Sequence, residues 1–149
     1  GDLPGFVHVL DDQTLLIPDR PGNKKILTMS NVLENSSLAI IFFIPGRDDS
    51  LRVTGKAHIS TQTDILSPMA VKGSVPKSAL QLEVDKAWFH CGKAIIRSKI
   101  WQPDVQEDAV KLPTLGQMLS DQIADVRAQE ADDALNNSYE TMLWSDPRS

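Results

Sequence analysis

A turn carrying two adjacent lysines holds the most pointed chemistry in this chain. Pro18-Asp19-Arg20-Pro21-Gly22-Asn23-Lys24-Lys25 stands between an apolar run, Thr14 to Ile17, and a helix-like run, Ile26 to Asn35. The pattern predicts a strand, a tight Pro/Gly turn, and a helix over Lys24 to Glu34. Backbone N–H groups are unpaired in the first turn of a helix, and the helix dipole is positive there. The place therefore suits an anion, most often a phosphate. Two plainer readings stand beside that one. Asn23 can cap the helix with no ligand, and exposed lysines are ordinarily solvated charge. Yet acids are preferred in a first helical turn, so two lysines there point to a compensating anion.

Ser50 and Arg52 form a second candidate. Leu51, Val53 and Gly55 alternate with Arg52, Thr54 and Lys56, which predicts a strand running to Ile59. Alternation puts Ser50 and Arg52 on the face opposite Leu51 and Val53. Arg52 is either a surface charge or a forked donor to the same phosphate from a neighbouring strand. The third candidate is His90 to Trp101, dense in polar and aromatic groups. Read as a helix, it sets His90, Lys93 and Arg97 on one side, with Trp101 either packed or stacked on a planar ligand.

Other chemistries lack their motifs. His8, His58 and His90 show no metal-ligand spacing, and no His-Glu-x-x-His or Cys-x-x-Cys occurs. Nucleophile elbows, Walker loops and glycine-rich dinucleotide fingerprints are absent as well. Cys91 reads as a small buried residue rather than a nucleophile. No residue stands out as a catalytic acid or base.

The elements that must position these groups are mostly strands. Phe6 to Leu10 and Thr14 to Ile17, joined at Asp11-Asp12, predict a hairpin. Ile26, Met29, Val32 and Leu33 follow helical spacing, and Asn35 ends that helix. Leu38 to Ile44 is apolar at every position, which predicts a central strand buried on both sides. Asp64 to Val71 reads as a short helix. Leu80 to Phe89 reads as a long strand with Leu80, Leu82, Val84 and Trp88 inward. Leu115, Leu119, Ile123 and Val126, then Leu135, Tyr139 and Met142, mark a C-terminal helical stripe. The fold class is mainly β, a small barrel with short helices. Residues 1–103 form the barrel domain and 104–149 an acidic helical extension.

The 149 residues carry a net charge of −5, which argues against a nucleic-acid partner. No apolar run is long enough to span a membrane. The single cysteine excludes internal disulfides and fits a reducing cytoplasm.

Four ordered motifs resemble the FMN-binding split-barrel flavoproteins of the pyridoxamine 5′-phosphate oxidase-like superfamily, in particular a bacterial group of FMN flavoproteins. They are Gly1-Asp2-Leu3-Pro4-Gly5-Phe6, Ile17-Pro18-Asp19-Arg20-Pro21-Gly22-Asn23-Lys24, Leu51-Arg52-Val53-Thr54-Gly55, and Phe89-His90-Cys91 with Lys93, Arg97-Ser98 and Trp101. The resemblance implies a six-stranded split barrel of Greek-key type and a homodimer with two FMN sites at the interface. It also implies a small-molecule substrate or electron donor. It places Pro18, Asp19, Arg20, Asn23, Lys24, Lys25, Ser50, Arg52, Arg97 and Trp101 at the cofactor. Asn23, Lys24 and Lys25 match the phosphate-binding Ser-Arg-Lys run of the oxidase proper. Pro18 and Asp19 stand where that enzyme has Tyr-Thr beside the flavin, and Ser50 where it has a flavin-contacting Gln. Arg97 and Trp101 fall near the late segment that reaches across the dimer. The family opens with a strand hairpin, expected before Gly1, that completes the phosphate site. The Arg-x-His motif that recognises the vitamin B6 substrate is missing. The resemblance therefore implies an FMN-dependent oxidoreductase of unspecified substrate. A non-catalytic flavin-storage module, or the same barrel with deazaflavin or haem, are the alternatives.

Overall fold

Gln13 donates its backbone N–H to the Asp11 carboxylate at 2.8 Å and closes the first hairpin. That bond holds Asp11 below the usual carboxylate range. The computed structural model describes residues 2, 5–22, 25–103 and 111–142. The hairpin joins β1 (His8–Asp11) to β2 (Thr14–Pro18). α1 (Leu27–Glu34), β3 (Ser37–Phe43) and β4 (Ser50–Ser60) follow. α2 (Thr63–Leu66) runs into a 3-10 turn (Ser67–Met69), as Pro68 requires, and then comes β5 (Ala79–His90). The strands form one antiparallel sheet in the order β1-β2-β5-β4-β3. With its inserted helices this is the mainly β, split-barrel class expected from the sequence.

Each face of the sheet has its own core. Leu38, Ile40 and Phe42 of β3, Leu51, Val53 and Ala57 of β4, and Leu80, Leu82 and Val84 of β5 share the inner face with Leu15. Val32 of α1 closes that cluster, and Leu82 is fully buried. Burying one such side chain contributes about 1.5–3 kcal/mol. On the outer face, Leu16 and Ala79 pack with Ile65, Leu66 and Met69. The α2 segment therefore covers only the end of the outer face that carries Pro18.

Several sequence expectations are corrected. β3 is an edge strand, not a central one. Ile41 and Phe43 are 47% and 55% exposed, so the apolar run has one packed face and one bare face. Trp88 points outward and is 40% exposed. The reason is a bulge: Thr54 pairs with Lys86 but Gly55 pairs with Val84. The extra residue, Asp85, reverses the inward parity beyond Val84. Gly55 is required there, because a Cβ would lie 1.9 Å from the Glu83 carbonyl oxygen. In α1 only Val32 is buried, while Ile26 and Leu33 are exposed.

The described chain divides into two compact units, the first ending at Lys93 and the second beginning at Ala94. α3 (Lys93–Ser98) begins at this division, and His90 belongs to β5 rather than to a helix. The C-terminal stripe is two helices, α4 (Leu115–Gln122) and α5 (Ala128–Met142), broken where Asp125 takes a φ of 66°. Thr114 and Gln117 form a capping box at α4. Asp132 of α5 accepts from Thr114 Oγ1 at 2.6 Å and from Gly116 N at 2.8 Å. Its carboxylate thus sits at the positive end of α4. A Cβ on Gly116 would lie 2.2 Å from the Ala128 carbonyl oxygen, so glycine sets how closely the two helices approach.

Candidate functional site

β2 delivers the turn, and backbone bonding fixes its exit: Asp19 N donates to Ser78 O at 2.9 Å. α1 begins at Leu27, three residues later than its predicted start, with Ile26 at the N-cap position. No side chain caps it and no acid occupies its first turn. Asn23 is therefore not the cap of α1. Asn23 and Lys24 themselves lie outside the described residues. The uncapped end opens on a cavity of about 350 Å³ lined by Ile17, Pro18, Asp19, Lys25, Ile26, Thr28, Met29 and Leu80. That volume lies within the range of small-molecule sites. Apolar walls, a lysine and unpaired helical N–H groups together match a ligand with a flat apolar part and an anionic group.

Arg20 does not share this cavity. Its Nε donates to Asp2 Oδ2 at 2.7 Å, one Nη to Ser74 O at 3.3 Å, and the other Nη to Met69 O. The Arg20 and Asp2 side chains are 9% and 6% exposed. Arg20 ties the N-terminal motif to the segment after α2. Sequence reasoning missed this pairing, although both residues lie in the motifs that carry the resemblance.

Ser50 and Arg52 share the outer face, as strand alternation predicts. They do not meet the lysine turn within one chain. Ser60 and Pro18 both pair with Ala79, so Arg52 sits eight residues up β4 from the level of Pro18. Eight residues correspond to about 26 Å of strand. The cavity is also on the inner face, beside Ile17 and Leu80. Arg52 thus cannot close on a phosphate at the lysine turn of its own chain. Its cross-strand neighbours are Ile41 and Trp88. Arg52 Nε is buried and has no hydrogen-bond partner among the described residues. An unpaired buried donor costs about 1–3 kcal/mol. Ser50, 6% exposed, stands between Phe43 and His90. In the loop before it, Arg47 bonds Asp49 at 3.0 Å, which holds the Asp49 carboxyl below its ordinary range.

Arg97 and Trp101 fall in the second unit. Arg97 is in the last turn of α3, and Trp101 is 38% exposed. Cys91 is exposed, against the expectation of a buried thiol. No group of three or more metal-ligating side chains occurs among the described residues. No described helix is long and apolar enough to cross a membrane.

The sequence profile of the family described as pyridoxamine 5′-phosphate oxidase matches residues 1–91. The chain belongs to this family. The match spans both cores of the sheet, the lysine turn and Arg52. Family membership supports a flavin-binding protein, and haem is the other cofactor the family is known to hold. Among solved structures, HupZ of Group A Streptococcus is 20% identical, with a TM-score of 0.47 over 56% of this chain and 68% of that one. A variant of the same HupZ is 20% identical, with a TM-score of 0.48 over 57% of this chain and 73% of that one. No curated protein matches the chain.

Proposed function

We propose that the chain binds FMN and works as an FMN-dependent oxidoreductase on a small molecule. The observation that carries this reading is the cavity at the uncapped start of α1, with Lys25, Pro18 and Asp19 in its wall. The FMN phosphate takes the lysine turn, where Asn23 and Lys24 add to Lys25, and the ring system takes the apolar part. Bound FMN would supply the electron transfer, while the protein binds and orients. A phosphate-bearing ligand suits Lys25 and the bare helix end better than haem does. FMN and a deazaflavin share that phosphate chemistry.

The active form on this reading is a homodimer with two flavins at the interface. The register supports it: Ser50 and Arg52 are too far from their own lysine turn, so they join a flavin only from a second protomer. The bare side chains of Ile41 and Phe43 fit such an interface. Arg97 and Trp101 come from the second protomer as well. Residues 1–103 carry the cofactor, and 104–149 form an accessory extension. The lone Cys91 suits a cytoplasmic setting.

The absorbance spectrum of the purified protein, followed by the mass of the released ligand, tests the cofactor. Replacing Lys24 and Lys25 together by alanine is expected to release flavin, and unchanged affinity removes the phosphate assignment. Reduction by a nicotinamide donor and reoxidation by substrate separate an enzyme from a storage module. A monomer with full flavin occupancy contradicts the interface site.

A further inference from the structure

Arg20 stands inside the lysine turn but spends its guanidinium away from the cavity. It donates to Asp2 Oδ2, Ser74 O and Met69 O, and those acceptors are themselves held in place. Met69 is 2% exposed and belongs to the outer core with Leu16, Leu66 and Ala79. Ser74 closes a two-residue hairpin turn on Val71, with Lys72 and Gly73 at φ of 49° and 80°. The Asp2 side chain is 6% exposed. One residue before Arg20, Asp19 N bonds Ser78 O at 2.9 Å. The first half of the turn is therefore clamped to the segment between α2 and β5. Pro18 and Asp19 at the clamp and Lys25 beyond it line the same cavity. α1, which follows, has eight residues, no side-chain cap and no acid in its first turn. So short a helix depends on its surroundings for its position.

We propose that Asp2 and Arg20 are positioning residues of the anion site: they touch no ligand, and they set the turn so that Lys25 and the start of α1 meet one phosphate. A buried ion pair adds little net stability over an apolar pair of the same shape. What this pair supplies is direction, because the planar guanidinium holds three acceptors in a fixed fork. Phosphate recognition needs such support, since donors displaced by about 0.5 Å or more no longer converge. Charge and position make opposite predictions at Asp2. Coulomb attraction alone says that removing this carboxylate strengthens binding of an anion at the turn. Positioning says that the same change weakens it, because Arg20 loses its fixed partner. The inference rests on the reading of the cavity as an FMN phosphate site, and it adds what sets the geometry of that site.

The test titrates the flavin-free 149-residue chain with FMN and with riboflavin, which has the same ring system and no phosphate. Flavin fluorescence gives both dissociation constants, and their ratio is the readout. The parent chain is expected to prefer FMN by about a hundredfold, the worth of two charge-assisted bonds. Asp2→Asn is expected to cut that preference by about tenfold or more and to leave riboflavin affinity unchanged. Arg20→Met is expected to do the same. If that variant is insoluble, Asp2→Asn carries the test, because it keeps the two carbonyl bonds of Arg20. A parental preference in Asp2→Asn overturns the proposal, and so does tighter FMN binding, which charge alone explains. Equal losses for FMN and riboflavin also overturn it, since the pair then supports the fold and not the phosphate. Failure of the cofactor reading looks different: the parent chain itself binds the two flavins equally, or binds neither, and the proposal falls with it.

Discussion

At the end of the sheet nearest Pro18, Arg20 gives its guanidinium to Asp2, Ser74 and Met69, and α2 covers the outer face. At the opposite end Arg52 lies between Ile41 and Trp88 on a bare surface, with a buried Nε that has no acceptor among the described residues. The two arginines stand in motifs of equal apparent weight, and in sequence they look alike. Their surroundings make one a structural tie and leave the other a buried donor with no partner among the described residues. A charged residue in a recognised motif is therefore assigned by its partners rather than by its place in the motif.

The largest expected effect comes from the bulge that separates the two ends. Gly55→Ala forces a Cβ into the Glu83 carbonyl and is expected to cost at least about 3 kcal/mol, measured by urea denaturation. A well-folded variant of unchanged stability removes the bulge as the hinge between the ends. Next comes the direct contrast of arginines. Arg20→Met strands the Asp2 carboxylate in a site 6% exposed and is expected to cost about 3 kcal/mol. Arg52→Met removes an unpaired donor, so its stability stays within about 1 kcal/mol of the parent. Equal losses for the two would erase the comparison. Phe43→Glu, on the bare edge of the Arg52 end, is expected to weaken the proposed homodimer by about 2 kcal/mol, read by sedimentation velocity.

The smallest effect concerns the loop before Ser50. Arg47 lowers the Asp49 carboxyl chiefly through the hydrogen bond it donates, and its charge adds the least. A depressed carboxylate contributes its stabilising bond above the unfolded value, near 3.9, and loses it as pH falls through the folded value. No change from this pair is expected between pH 7 and 5. In Arg47→Ala the Asp49 titration, followed by NMR, should return to the ordinary carboxylate range.

Local chemistry was readable where one residue type decides one geometry. Asp11 marks its turn through an Asx bond. Alternation along β4 assigns Ser50 and Arg52 to one face. Pro68 shortens α2 into a 3-10 turn. The start of α1 was less legible, since propensity does not say which residue takes the last non-helical geometry. Leu38 to Ile44 misled, because a strand apolar on both faces describes a buried strand and an edge strand with one bare face equally well.

By itself, the sequence determined the mainly β class, the hairpins and membership of the family, since each depends on short-range patterns and ordered motifs. Only the tertiary structure decided which strand lies at the edge, which way Trp88 faces, and which arginine is paired. Those depend on a one-residue bulge and on contacts between segments far apart in the chain. Short-range periodicity carries no record of either.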